Sequence, residues 1–279
     1  MEINYCRNIV INMNSGYFPY SLVMLQSLFD NKAEDYYCIY LLYSDMKQWE
    51  LDYMEGFCKK NKGSFIPVKV DNKVFRGFPL NPRWSIETYY RLLISELLPD
   101  ALTRILYLDI DVIIDGNISE LFQMDLGSDY LAACEDLYEK IDYRSLNKAW
   151  GRKEDIKYFN AGVMVLNLEE IRKSICFRDY IDVIYATQGN LPYMDQDILN
   201  YLLGGKTKLL PRQYNYVIGS QTIEKQQGII YHFGTPDKPW IMEKTTAYKE
   251  LWWKYARRVT DYKIMIEKYV KEKQICVNV

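Results

Sequence analysis

At 279 residues the chain has room for one or two domains and a large core. Its composition, 49% hydrophobic and 26% charged, is that of an ordinary globular protein, and a net charge of -2 gives no global sign of nucleic-acid binding. No run of about 18 apolar residues exists to span a membrane, and the asparagine-interrupted N-terminus lacks the pattern of a secretory signal. A cytoplasmic location follows as an expectation. The six scattered cysteines, with no CxxC pair, are expected to be reduced thiols.

In chain order, "NIVINMN" (Asn8 to Asn14) reads as a strand ending at the Ser15-Gly16 turn, and "YSLVMLQSLFDN" as a helix. "YYCIYLLYS" is a second strand, "MKQWELDYMEGFCKKN" a helix and "SFIPVKV" a third strand. "SIETYYRLLISELLP" reads as a helix ended by Pro99. It leads into "RILYLDIDVIID", a buried-strand pattern carrying Asp109 and Asp111. Beyond Gly116 come the strand "DYLAAC", an irregular polar segment over 135–157, and "YFNAGVMVLNLEEIRKS", a strand followed by a helix. "KTKLLP" and "GIIYHFG" are further strands before a helical tail. Strands alternating with helices predict an α/β fold with an open sheet covered on both faces. The expected domains are a catalytic unit over 1–243 and a helical extension over 244–279.

Asp109 and Asp111 are two apart, so on a strand they share one face, roughly 7 Å apart. At the carboxyl end of a strand, where open α/β sheets bind ligands, two such carboxylates suit a shared divalent cation. The plainer alternative is a turn cap and a lysine partner. His232 is the chain's only histidine and also follows a strand-like run. A lone histidine is more often a surface or satisfied core residue. Here Gly234, Lys238 and Trp240 follow it, and a glycine beside a lysine suits close approach to a phosphate. Two Asp and one His with open positions suit Mn²⁺ or Mg²⁺ shared with a diphosphate, the imidazole favouring manganese. No cysteine cluster points to structural zinc.

The segments "YLDIDVII", "FNAGVMVLNL", "YMDQDILN" and "YHFGTPDKPW", with "SIETYYRLLISELLP" upstream, occur in the order found in family 8 glycosyltransferases, and the chain resembles that family. The resemblance implies a GT-A-type, Rossmann-like nucleotide-binding fold with a mixed central sheet flanked by helices. It implies a retaining, metal-dependent transferase that moves a hexose from UDP-glucose or UDP-galactose to a saccharide or glycolipid acceptor, as in lipopolysaccharide synthesis. Asp109, Asp111 and His232 would hold the metal. Asn14, Tyr17, Arg91, Asp109, Asn160, Ala161, Gly162, Gly234 and Lys238 would bind the donor. Asp136 would lie near the acceptor, and Asp195 and Gln196 nearest the reacting carbon. At the end of the first strand the family usually has an acidic residue facing uracil. Asn14 stands there instead, and its amide oxygen can still accept a hydrogen bond. "FNAG" read alone is equally a plain strand entry.

Glycogenin-like self-glucosylation is one alternative, although any of the 26 tyrosines can be structural. A non-catalytic nucleotide-sugar-binding protein is another, opposed by the intact Asp/Asp/His set. The tail over 244–274 has nine Lys/Arg against four Asp/Glu, a local +5. Such a basic aromatic segment suits peripheral contact with an anionic membrane, or a helix that covers the sheet with its apolar face.

Overall fold

The computed structural model describes residues 6–80, 82, 84–137, 141–219, 227–241, 247–260 and 262. Strand β1 (Cys6–Asn12) leads through a turn of 3₁₀ helix to α1 (Phe18–Asp30). Then come β2 (Tyr36–Tyr43), α2 (Gln48–Lys60) and β3 (Ser64–Lys69). The segment expected as one helix before Pro99 is a 3₁₀ helix over Ile86–Leu93 passing into one α turn, α3 (Ile94–Leu97). Next follow β4 (Arg104–Leu108), β5 (Val112–Ile114), α4 (Ser119–Gln123) and β6 (Leu131–Glu135). The polar segment holds a short helix, α5 (Tyr143–Ala149), capped by Asp142 through its bond to the Ser145 N–H. Beyond it lie β7 (Phe159–Asn167), α6 (Leu168–Ser174), α7 (Phe177–Ala186) and α8 (Asp195–Leu203). The chain continues through β8 (Thr207–Leu209), β9 (Tyr216–Val217), β10 (Ile230–His232) and α9 (Lys249–Ala256).

Seven strands form a mixed sheet in the order β3-β2-β1-β4-β7-β6-β8, in which β7 runs antiparallel to both its neighbours. Alternation sorts β4 between two cores. Leu106 and Leu108 face α1, and Ile105 and Tyr107 join Tyr89, Tyr90 and Met164 on the opposite side. Burial on both faces explains why the central strands read as continuous apolar runs.

The run "RILYLDIDVIID" is two strands in two sheets. The Asp109 N–H still bonds the Gly162 carbonyl of β7, whereas the Asp111 carbonyl accepts from the Phe233 N–H. The chain therefore changes sheets at Ile110, and β5 joins a second sheet in the order β5-β10-β9. Helix α1 fixes that departure. Ser27 Oγ accepts from the Ile114 N–H at 3.0 Å, and Asn31 Nδ2 donates to the Ile114 carbonyl at 2.9 Å. Asp115 accepts from Lys254 Nζ and the Tyr255 hydroxyl of α9.

One expectation changes and one alternative gains support. Cys6 and Cys38, on the adjacent parallel strands β1 and β2, are joined as a disulfide with Cα atoms 6.0 Å apart, so these two are not reduced thiols. Cys58, Cys134 and Cys176 are free. Much of the basic tail, residues 244–246, 261 and 263–279, lies outside the described residues. Its described helix, α9, buries Trp252, Tyr255 and Ala256 in the core shared with α1. Trp240 stacks on Tyr20 of α1 at 4.2 Å, and Trp253 Nε1 donates to the Pro239 carbonyl. The covering role is the one these residues play. Among the described residues no helix is long and apolar enough to cross a membrane.

Candidate active site

The sheet switch delivers both aspartates to one place. Asp109 ends the β4 ladder, Asp111 precedes β5, and antiparallel pairing sets His232 opposite Val112. His232 Nε2 lies 3.3 Å from Asp111 Oδ1 and 3.7 Å from Asp109 Oδ2. One ligand atom from each of the three lies within 4.8 Å of the others. Asp111 Oδ2 accepts from Lys238 Nζ at 2.5 Å, and the same ammonium bonds the Phe233 carbonyl.

Burial alone would raise the Asp111 pKa, but Lys238 and His232 outweigh it and hold the carboxyl well below its usual range. Burial opposes the charged imidazolium of His232, yet Asp111 and then Asp109 outweigh it and raise that pKa. Two carboxylates and an imidazole converging this closely suit a divalent cation, and the closeness itself is permitted by a glycine. A Cβ at Gly162 would stand 2.3 Å from His232 Cε1 and 2.8 Å from Asp109 Oδ2. Gly234 is similar in kind, since its Cβ would meet His232 Nε2 at 3.0 Å.

Arg91, from the 3₁₀ helix, ties this cluster to the next. Its Nη2 donates to Asp109 Oδ1 at 3.0 Å, its Nη1 to the Ala161 carbonyl at 2.6 Å, and its Nε pairs with Asp195 Oδ2 at 2.9 Å. The guanidinium lies over the Tyr107 ring, whose hydroxyl is 2.6 Å from Asp109 Oδ1. Asp195 and Gln196 form the first turn of α8, aimed by Met194, a non-glycine residue at φ +50°. A backbone held there costs on the order of 1–3 kcal/mol and is kept where neighbours over-determine it. Burial pushes the Asp195 pKa up to about 6 despite Arg91. Burial likewise raises Asp197 to about 6; its carboxylate accepts from the Tyr158 hydroxyl and the Tyr193 N–H.

Asn160 and Ala161, expected to bind the donor, lie beside these residues. Gln196 Oε1 accepts from the Ala161 N–H at 3.0 Å, and Gln196 Nε2 donates to Asp136 Oδ2 at 3.2 Å. Asn160 Nδ2 donates to the same Asp136 oxygen at 3.0 Å. Asn14 lies at the end of β1, bonded to Glu87 Oε2. Tyr17 is 38% exposed, and its hydroxyl pKa is raised by partial desolvation and by Asp111, Asp109 and Glu87, which puts it at the same rim. Hydrogen bonds and ion pairs thus bring Asp109, Asp111, His232, Lys238, Arg91, Asp195, Gln196, Asp136, Asn160 and Ala161 together, with Asn14 bonded to Glu87 beside them. Sequence reasoning missed Tyr107 and Asn215. Tyr107 lay within "RILYLD", two residues before Asp109 and so on the same face of the strand. Asn215, in "RQYNYV", gave no signal in the sequence.

Comparison with known proteins agrees with this geometry. The profile described as Glycosyl transferase family 8 matches residues 8–243. The lipopolysaccharide 1,2-glucosyltransferase of Escherichia coli K12 is 26% identical over 250 residues, covering 84% of this chain and 73% of that one. The lipopolysaccharide 1,3-galactosyltransferase of Salmonella typhimurium is 25% identical over 198 residues, covering 67% and 58%. The crystal structure of the galactosyltransferase LgtC with donor and acceptor sugar analogs superposes with a TM-score of 0.82 at 26% identity, covering 91% of this chain and 96% of that one. Glycosyltransferases of this fold use a nucleotide-sugar donor and typically a metal ion, and the three clustered ligands are suited to one. The chain belongs to glycosyl transferase family 8 and is a glycosyltransferase.

Proposed function

We propose that the protein transfers glucose or galactose from UDP-glucose or UDP-galactose to a saccharide or glycolipid acceptor, with retention of configuration, in the synthesis of lipopolysaccharide or another surface glycan. The observation that carries this reading is the convergence of Asp109, Asp111 and His232 beside Lys238, with Asp195 and Gln196 held across Arg91. The hexoses follow from the glucosyl- and galactosyltransferases among the relatives.

A Mn²⁺ or Mg²⁺ ion held by Asp109, Asp111 and His232 would stabilise negative charge on the leaving diphosphate. Lys238 contributes a second positive charge there, and Gly234 allows backbone approach. Arg91 fixes Asp195 so that it orients the donor sugar. Gln196 is an amide whose oxygen is already engaged by the Ala161 N–H, and Asp195 is committed to Arg91, so neither is a free nucleophile. Front-face attack is therefore favoured, the acceptor's proton passing to the departing phosphate oxygen. Asp136, bound by Gln196 and Asn160, would meet the acceptor.

The test is hydrolysis and transfer across a panel of nucleotide sugars with Mn²⁺, comparing the native chain with Asp111→Asn. Metal-stimulated turnover of a UDP-hexose that the variant loses is the expected result. No metal-stimulated turnover of any donor by the native chain would overturn the reading. A covalent glycosyl adduct trapped on Asp195 would overturn the front-face step alone.

A further inference from the structure

The imidazole of His232 has two nitrogens, and Nε2 is the one that faces the two aspartates. A metal ligand must present that nitrogen unprotonated, so the neutral ring has to carry its proton on Nδ1. Nδ1 lies 2.9 Å from Asn215 Oδ1. Asn215 is 3% exposed and sits immediately before β9, the strand that pairs with β10.

Which end of the Asn215 amide faces the ring is settled by a chain of bonds with fixed ends. Asn160 Oδ1 accepts from the Gly162 N–H at 3.0 Å, and a backbone N–H can only donate. Asn160 Nδ2 donates to the Asp136 carboxylate, which when ionised can only accept. The Asn160 amide is thereby fixed with its oxygen toward Asn215, 2.8 Å from Asn215 Nδ2. Asn215 must then give its NH₂ to Asn160 and turn its oxygen to His232. An oxygen there needs a donor, which puts the proton on Nδ1 and the lone pair on Nε2.

From this we infer that Asn215 is a positioning residue that locks His232 in its metal-binding tautomer, and that the lock is set by Asn160 and Asp136. The inference rests on reading Asp109, Asp111 and His232 as the cation site. It also joins the two halves of the site. Asp136, at the far end of the chain, holds Gln196 through the same oxygen that holds Asn160. The orientation of a cation ligand and that of the amide beside the donor sugar share one carboxylate.

Because His232 is the only histidine, a histidine-labelled sample gives a single pair of ring nitrogen signals with nothing to assign. Long-range ¹H–¹⁵N spectra of the metal-free native chain, recorded above the pH at which the ring is neutral, are expected to show the Nδ1–H tautomer. A predominant Nε2–H form overturns the lock. Mn²⁺ binding, measured by calorimetry without donor, is expected to weaken roughly 10- to 100-fold in Asn215→Leu, the range seen when a partner behind a metal-bound histidine is lost. Asn215→Asp keeps an acceptor for Nδ1–H but opposes Asn160 Oδ1 with a carboxylate. It should hold Mn²⁺ within a few-fold of the native chain while losing kcat for the donor. Equal affinity in Asn215→Leu and the native chain overturns the positioning role. If the native chain itself binds no Mn²⁺, the cation reading fails, while the tautomer spectrum still decides the lock.

Discussion

Lys238 Nζ lies 2.5 Å from Asp111 Oδ2, while Oδ1 of the same carboxylate faces His232 Nε2 at 3.3 Å. One carboxylate is divided between a protein cation and the proposed metal site, so under the proposed function Lys238 would compete for Asp111 until a diphosphate drew it away.

Lys238→Met is therefore expected to act in opposite directions on two ligands. Mn²⁺ alone should bind as tightly or more tightly, because a competing charge is gone. The nucleotide-sugar donor should bind about 10- to 100-fold more weakly, matching the ~1.5–3 kcal/mol of a hydrogen bond to a charged group. Calorimetric titration with each ligand separates the two. A parallel loss of both would count against a diphosphate role for this lysine.

Gly162→Ala probes the closeness of the cluster. The new methyl would press on His232 and Asp109, and forced overpacking costs about 1–3 kcal/mol. The expected outcome is a folded protein with an unchanged circular dichroism spectrum and Mn²⁺ affinity reduced by at least about tenfold. Native-like metal binding would show that the cluster can spread without loss.

Arg91 serves Asp109, Asp195 and the Ala161 carbonyl through three different nitrogens. A lysine keeps the charge but not the planar fork. Arg91→Lys should lower kcat/KM for donor hydrolysis by about 10- to 100-fold, or ~1.4–2.8 kcal/mol, with a smaller effect on thermal stability. A collapse in stability matching the loss of activity would make the arginine a structural clamp only.

Asp197 supplies the pH dependence. Its folded pKa, up to about 6, stands above the ordinary 3.8, so the native state holds this proton more tightly than the unfolded chain does. The resulting stabilisation is present at low pH and is lost as pH rises through about 6. Between pH 5 and pH 8 the loss is roughly 1.4 kcal/mol. Asn cannot titrate, so the stability of Asp197→Asn relative to the native chain should improve by about that amount across the interval. Urea midpoints at the two pH values measure it, and a constant difference would contradict the raised pKa.

The proposed cation ligands and Lys238 were legible because each lies in a short run whose chemistry stands out against a strand. Asp109 and Asp111 interrupt apolar residues, and His232 has no other histidine to compete with. The sheet switch at Ile110 was not legible. Ile105 to Leu108 of β4, Ile110 and all of β5 are buried, so the apolar pattern on either side of the aspartates reads as one strand although hydrogen bonding changes partners. Asn215 was hidden for a different reason. A single asparagine in a polar loop carries no pattern, and its role exists only once β9 lies beside β10. The Cys6–Cys38 pair was missed because scattered cysteines 32 residues apart reveal nothing until parallel register brings their strands together.

The second sheet has strands of three, three and two residues, too short to be secure on their own. Two of the three proposed metal ligands adjoin or belong to it, and the third closes the main sheet one residue away from the switch. A bound cation would thus act as a rivet between the sheets, adding about 2.7 kcal/mol to the folded state at a hundredfold excess over its Kd. Local opening of β10 away from β5 would then require the ion to leave first. Amide exchange at Tyr231 and Phe233 would report occupancy of the site from the backbone, without any sugar being turned over.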